Sequence, residues 1–136
     1  MQSKPYLTLE DVKKIAAAAE GEALRNNWAV SIAIVDDGGH QLWFQRLDGA
    51  APISSHIAPA KARTAALGRR ESKVYEDLIN NGRTSFLSAP ELEGMLEGGV
   101  PVVIDGHVIG AVGVSGVKST EDAQVAKAGI AALSNG

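Results

Sequence analysis

The sequence predicts an α+β fold in which an antiparallel sheet carries helices on both faces. Four segments have the apolar periodicity of amphipathic helices, two regions have the pattern of β-hairpins, and their order along the chain is α-β-β-α-α-β-β-β-α. The chain has 136 residues, which suffices for one core of ordinary size, and nothing in it marks an internal boundary. We therefore expect a single domain over residues 1–136.

The clearest hairpin surrounds Asp105-Gly106, a dipeptide that supplies the positive φ angles of a type I′ turn between two runs of β-branched residues. In the second of these strands Gly110, Gly113 and Gly116 recur at every third position. Glycine weakens a strand unless a backbone, a ligand or a bend comes close. The glycines therefore indicate either the edge of a pocket or the close packing of a helix on the sheet.

The first helix and the first hairpin are predicted from residues 8–46. Thr8 precedes acidic residues and then an apolar face that continues to about Asn27, which predicts a helix with Thr8 as its N-cap. Residues 29–35 are rich in strand formers, the Asp and Gly residues at 36–39 favour a turn, and residues 40–46 alternate as a return strand.

Two more helices follow the first hairpin. One is predicted from Ser55 or His56 to Leu67, because Pro59 is tolerated only in a first turn. The next begins at Ser72, which we expect to cap it, and stops at an Asn-Gly pair.

The last part of the chain completes the predicted sheet. The connection from Arg83 to Leu96 is expected to hold one short strand near its end. After the second hairpin, residues 119–122 have the form of a capping box and predict the last helix.

Composition limits the classes of function. The net charge is −3 at pH 7 and the pI is about 5.6, which argues against a nucleic-acid partner. The chain has no cysteine, so a cofactor would be held noncovalently or by nitrogen and oxygen ligands. The N-terminal residues lack a signal pattern, and no apolar run approaches the roughly 20 residues of a membrane span. We expect a cytoplasmic protein with no membrane partner.

The second helix carries the residues that best suit a small anionic ligand. Lys61 and Thr64 fall on one stripe, and His56 and Arg63 fall on another together with Ala60, so an imidazole and a guanidinium lie side by side. The alternative is a solvated helix face that carries ordinary basic residues.

Recognisable catalytic motifs are scarce. The histidines have no zinc-binding spacing, and phosphate-binding loops and serine elbows are missing. Asp36 and Asp37 suit acid–base chemistry, although turn formation explains an Asp-Gly sequence fully.

A set of short motifs, in order over nearly the whole chain, resembles the GlcG/HbpS-like family. The residues that carry the resemblance are Val35-Asp36-Asp37-Gly38-Gly39, Asp48-Gly49-Ala50, Lys61-Ala62-Arg63-Thr64-Ala65, Gly98-Gly99-Val100-Pro101, Asp105-Gly106-His107-Val108-Ile109-Gly110, Val112-Gly113-Val114-Ser115-Gly116, Asp122 and Ala128-Gly129. The resemblance implies a profilin-like fold with a five-stranded antiparallel sheet between helices. It also implies dimers or higher homo-oligomers and, for some members, the binding of haem or a related tetrapyrrole.

The resemblance also implies where a ligand would bind. Lys61, Thr64, Gly110, Gly113 and Ser115 match the family pattern, and we expect them at the cofactor. Two further candidates complete the set. His56, which stands where acidic residues are common in relatives, is the candidate metal ligand of haem iron, and Arg63 is a candidate partner of a propionate.

Three hypotheses of function are compatible with these residues. The first is a protein that binds haem or a related tetrapyrrole. The second is a cofactor-independent lyase or isomerase that acts on a small anionic substrate in the same cleft, with Lys61, Arg63 and Asp37 as its catalytic residues. The third is a structural oligomer without a ligand.

Overall fold

The computed structural model describes residues 1–134, which form four α-helices, one 3₁₀ helix and four strands. In chain order these are α1 (Leu9–Arg25), β1 (Ser31–Asp36), β2 (Gln41–Arg46), α2 (Ser54–Gly68), α3 (Ser72–Asn80), the 3₁₀ helix (Thr84–Ser88), β3 (Gly99–Ile104), β4 (His107–Ser115) and α4 (Ser119–Ala131). None of the helices within residues 1–134 has the length and apolar character needed to cross a membrane.

The sheet has the order β2-β1-β4-β3, and every neighbouring pair is antiparallel. Alternate residues of β1 and β4 point to opposite faces. On one face Ile32, Ile34, Val112 and Val114 form the larger core with α1 and α4. On the other face the alanines of α2 cover a second core, which comprises Ala33, Val35, Ala58, Ala62, Ala65, Ala66 and Ala111. The α+β class with helices on both faces is therefore confirmed.

Two local predictions are confirmed because short-range chemistry decides them. Asp105 and Gly106 have φ values of 52° and 78°, so both central residues of the β3–β4 turn are left-handed, as a type I′ turn requires. Thr8 caps α1 through a capping box with Asp11.

The fifth strand is not confirmed, since the sheet formed by residues 1–134 has four strands. The connection from Arg83 to Leu96, where we expected it, forms a 3₁₀ helix and then an irregular segment. Two features prevent this segment from extending along the sheet. Glu91 has a φ of 67°, and a Cβ on Gly94 would lie 2.6 Å from the carbonyl oxygen of Ala60, so the chain here packs on α2.

Two helix starts differ from the prediction. α2 begins at Ser54, which places Pro59 sixth in the helix rather than in its first turn; the ring removes only the N–H that would reach the carbonyl of Ser55 at the exposed end. Ser72 is the first residue of α3 but does not cap it. Its buried hydroxyl accepts a hydrogen bond from the N–H of Gly99 at 2.8 Å, so it joins α3 to β3 instead.

Candidate functional site

A cleft of about 280 Å³ opens between the outer side of α2, the first hairpin and residues 89–96. We call it the α2 cleft. It is lined by Val35, Gly39, Gln41, His56, Pro59, Ala60, Arg63, Glu91 and Glu93. Its lining combines apolar groups with an imidazole, a guanidinium and two carboxylates, which is the mixture expected of a small-ligand site.

The helical wall of the α2 cleft is the stripe of His56, Ala60 and Arg63. These residues are spaced at i, i+4 and i+7, so the period of an α-helix places them on one side of α2. The imidazole is exposed at the start of the helix and the guanidinium is half-buried two turns later. At 1.5 Å per residue, their backbone positions are about 10 Å apart, so the imidazole and the guanidinium share a side of α2 but do not lie side by side as expected from the sequence.

The opposite wall is acidic and was not predicted from the sequence. Arg63 donates from Nη2 to Oε2 of Glu91 at 2.5 Å, and Glu93 lines the same cleft. Glu91 is 28 positions from Arg63 in the chain, so no periodicity links the two. The only local signal is the Pro90 to Gly94 stretch, which indicates an irregular segment and no particular contact.

Lys61 lies outside the α2 cleft, in the protein interior. Its Nζ donates to Oδ2 of Asp122 and to the carbonyl of Val114, both at 3.0 Å. The side chains of Lys61 and Asp122 are only 4% and 3% exposed. The amine is therefore committed to an ion pair that joins α2 to α4, away from any ligand in the cleft.

Burial raises the pKa of Asp122, because the Lys61 ammonium and the N–H of Val117 replace only part of the water that the carboxylate loses. The sequence places Asp122 only in the predicted capping box and the family motifs, and its separation of 61 positions from Lys61 hides their contact.

The strand glycines pack against neighbours instead of lining the α2 cleft. A Cβ on Gly113 would overlap the carbonyl oxygen of Ala58 in α2, whereas a Cβ on Gly110 would lie 2.5 Å from Leu7 Cδ1 on the other face of the sheet. Residues three apart in a strand necessarily face opposite ways. The structure thus favours the packing interpretation of these glycines, and their spacing does not mark one pocket edge.

The remaining predicted residues also lie apart from the α2 cleft. Thr64 is fully buried, and its hydroxyl accepts from the N–H of Gly94 at 3.3 Å. Ser115 is buried opposite Ser31 at the end of β4. Thr64 and Ser115 are therefore packed inside the fold and do not line the α2 cleft.

Asp37 stands beside the turn between β1 and β2. Its carboxylate pairs with Lys4 at 2.5 Å, and this bond lowers the pKa of Asp37. Because Asp37 and Lys61 both lie outside the cleft, the structure does not assemble the catalytic set of the lyase or isomerase hypothesis, which has no support here.

Residues 7–131 match the family model described as haem degrading protein HbpS-like. The chain belongs to the HbpS-like family. It is 58% identical over 115 residues to protein GlcG of Escherichia coli strain K12, a match that covers 85% of each chain.

Two solved structures share the fold closely. The crystal structure of HbpS has a TM-score of 0.89 at 33% identity and covers 98% of this chain and 94% of its own. The crystal structure of a PduOC–haem complex has a TM-score of 0.86 at 29% identity, with coverage of 94% and 95%.

The α2 cleft contains one imidazole, that of His56. Within residues 1–134 no three His, Asp or Glu side chains are grouped to bind a metal ion. His56 therefore offers a single nitrogen. One imidazole is too little for a metal site built from protein alone, but it is sufficient as an axial ligand when a macrocycle supplies the other donors.

Proposed function

We propose that this chain binds haem, or a related tetrapyrrole, in the α2 cleft. The observation that carries the proposal is the placement of His56 and Arg63 on one wall of an open cleft, in a chain similar to a protein crystallised with haem. The imidazole and the guanidinium match the iron and the propionates, which are the two polar parts of the cofactor.

The rest of the α2 cleft supports the same ligand. Val35, Pro59 and Ala60 provide apolar contact for the edge of a ring. A volume of about 280 Å³ lies just below the roughly 300–1,000 Å³ typical of ligand pockets. We therefore expect the cleft to enclose one edge of the macrocycle and to leave the opposite edge outside.

Each polar residue has a defined role in this proposal. The imidazole of His56 can offer a nitrogen lone pair, and the guanidinium of Arg63 can donate paired hydrogen bonds to a carboxylate. If haem bound here, His56 would hold its iron and Arg63 a propionate, and the group would supply the chemistry of a bound iron. The apolar residues between them exclude water from the ring.

The test is an optical titration of the protein with hemin. We expect a Soret band distinct from that of free hemin, saturating at one hemin per chain. Arg63→Gln should weaken hemin binding by about tenfold, the effect of losing a hydrogen bond between charged groups.

Arg25→Gln is the matched control, because Arg25 is an exposed arginine of α1 that pairs with Glu22 and does not line the cleft. We expect its hemin affinity to equal that of the wild type. A wild-type spectrum identical to that of free hemin would refute the proposed function.

We also propose that the chain forms a homo-oligomer. The small residues of α1 and α4 do not support this, because they are covered within the chain: a Cβ on Gly129 would lie 3.1 Å from that of Ala19. Larger apolar side chains remain open to water instead, including Tyr6 at 77%, Leu9 at 60% and Leu24 at 61%. Sedimentation at tens of micromolar should show no dominant monomer, and a monomer would contradict this proposal.

A further inference from the structure

The charges of the α2 cleft do not favour an anion as they stand. Its lining holds the guanidinium of Arg63 and the carboxylates of Glu91 and Glu93. Glu91 already forms an ion pair with Arg63, in which Nη2 of Arg63 donates to Oε2 of Glu91 at 2.5 Å. A carboxylate ligand would reach Arg63 only after this glutamate side chain has moved away.

Glu91 is placed so that it can leave. Its side chain is 67% exposed, whereas that of Arg63 is 39% exposed. Its φ of 67° is uncommon for a residue with a Cβ, and residues 92–95 after it have no regular secondary structure. Arg63, by contrast, is held on a helix that packs on the sheet.

The wall of the cleft stays in place when Glu91 moves, because the chain is fixed just after it. The N–H of Gly94 donates to the hydroxyl of Thr64 at 3.3 Å. The Cα of Gly94 lies so close to the backbone of Ala60 and Lys61 that a Cβ has no room. This anchor holds Gly94 against α2 and leaves Glu91 three residues away.

We propose that Glu91 is an internal competitor for Arg63, which the carboxylate of a ligand displaces on entering the α2 cleft. The proposal rests on the proposed function for the identity of the ligand, but it applies to any carboxylate that this cleft accepts. It predicts a site selective for ligands with a carboxylate, because a neutral ligand cannot replace Glu91 at Arg63 and leaves the ion pair in place.

The experiment compares the wild type with Glu91→Gln, using two probes. The first probe is propionate, followed by the NMR shift of the Arg63 Nε–H. The second is hemin, followed by its Soret band and compared with hemin dimethyl ester, which lacks carboxylates. Exposed ion pairs are weak, so we expect Glu91→Gln to bind propionate and hemin about two- to fivefold more tightly and the ester unchanged.

Two variants serve as controls. Glu93→Gln removes the same charge from the same cleft but leaves the Arg63–Glu91 pair intact, so its affinity for propionate should rise by less than about twofold. In an Arg63→Gln background, the addition of Glu91→Gln should leave the hemin affinity, followed by the Soret band, unchanged, because the guanidinium for which Glu91 competes is gone.

The outcomes separate this proposal from haem binding. If Glu91→Gln binds propionate more tightly while no variant binds hemin, the competition holds and the proposed function fails. If hemin and propionate bind equally to the wild type and to Glu91→Gln, the competition is refuted and haem binding stands. An equal gain for hemin and its dimethyl ester would also refute the competition.

Discussion

Lys61 and Asp122 form an ion pair across 3.0 Å that is almost completely removed from water. The carbonyl of Val114 and the N–H of Val117 complete the hydrogen bonding of the two groups. The pair thereby fixes α2, α4 and the end of β4 to one another. A charge in such a place is costly if it loses its partner, although the intact pair need not add much stability.

Lys61→Met should destabilise the protein by about 3–5 kcal/mol, because it leaves the Asp122 carboxylate buried and unpaired. Burial already raises the pKa of Asp122, and loss of the ammonium should raise it further. The cost is therefore largest at neutral pH and shrinks as pH falls and the carboxyl becomes protonated. Urea unfolding at several pH values measures both effects.

Lys73→Met is the control for this substitution. Lys73 pairs with Asp77 across 2.7 Å, but their side chains are 45% and 51% exposed. Because this pair is exposed to water, we expect the stability of Lys73→Met to be close to that of the wild type. If the losses for Lys61→Met and Lys73→Met were similar, the buried pair would not have the role described here.

Gly113→Val should destabilise the fold, because its side chain would overlap the backbone of α2 at Ala58. Overpacking of this kind costs about 1–3 kcal/mol or more. The fraction that still folds should bind hemin with unchanged affinity, since Gly113 does not line the α2 cleft. Thermal unfolding together with hemin titration checks both parts.

Gly21→Ala provides the comparison for Gly113→Val. Gly21 lies inside α1, where an added Cβ would lie 3.3 Å from the flexible guanidinium of Arg25. We expect a gain of about 0.5–1 kcal/mol from the better helix propensity of alanine. A folded Gly113→Val protein with wild-type stability would contradict the packing described for β4 and α2.

His56→Ala should shift the Soret maximum of the hemin complex and weaken binding by about 1–2 kcal/mol, comparable to the loss of a hydrogen bond to a charged group. The reason is that His56 is the imidazole that lines the α2 cleft. His107→Ala is the control, because His107 begins β4 and does not line that cleft. An unchanged spectrum in His56→Ala would mean that another group ligates the iron.

The cap of α1 should make stability dependent on pH. Asp11 accepts hydrogen bonds from the N–H of Thr8 at 3.0 Å and from its hydroxyl at 2.9 Å. These bonds lower the pKa of Asp11. Asp11 therefore stabilises the fold when the pH is above its unfolded-state pKa of about 3.9. This stabilisation is lost as the pH falls through the lower pKa of Asp11 in the folded state.

At neutral pH, Asp11→Asn should lower the free energy of unfolding by about 0.5–1 kcal/mol relative to the wild type. The two proteins should become equally stable well below pH 4. Glu10→Gln, in the same helical turn but outside the capping box, should cost only about 0.3 kcal/mol. A difference between Asp11→Asn and wild type that is constant from neutral to acidic pH would contradict this assignment.

The sequence predicted those features that neighbouring residues determine. The Asp105-Gly106 turn, the Thr8 cap and the alignment of His56 with Arg63 on α2 all depend on contacts within a few positions. Lys61 and Asp122 are 61 positions apart and Arg63 and Glu91 are 28 apart, so only the assembled fold reveals these pairs. The glycine spacing does not mark a pocket edge for another reason. Residues three apart in a strand lie on opposite faces of the sheet, so Gly110 and Gly113 cannot line the same pocket.

The thin layer between α2 and the sheet restricts substitutions on the inner side of α2 but not on its outer side. Alanine methyl groups and the bare backbone of Gly113 leave no freedom on the inner side of the helix. The outer side, with His56, Ala60 and Arg63, takes no part in that contact. Substitutions at these outward positions should therefore leave the contact between α2 and the sheet intact, which makes the outer side of α2 a suitable place for engineering new binding surfaces.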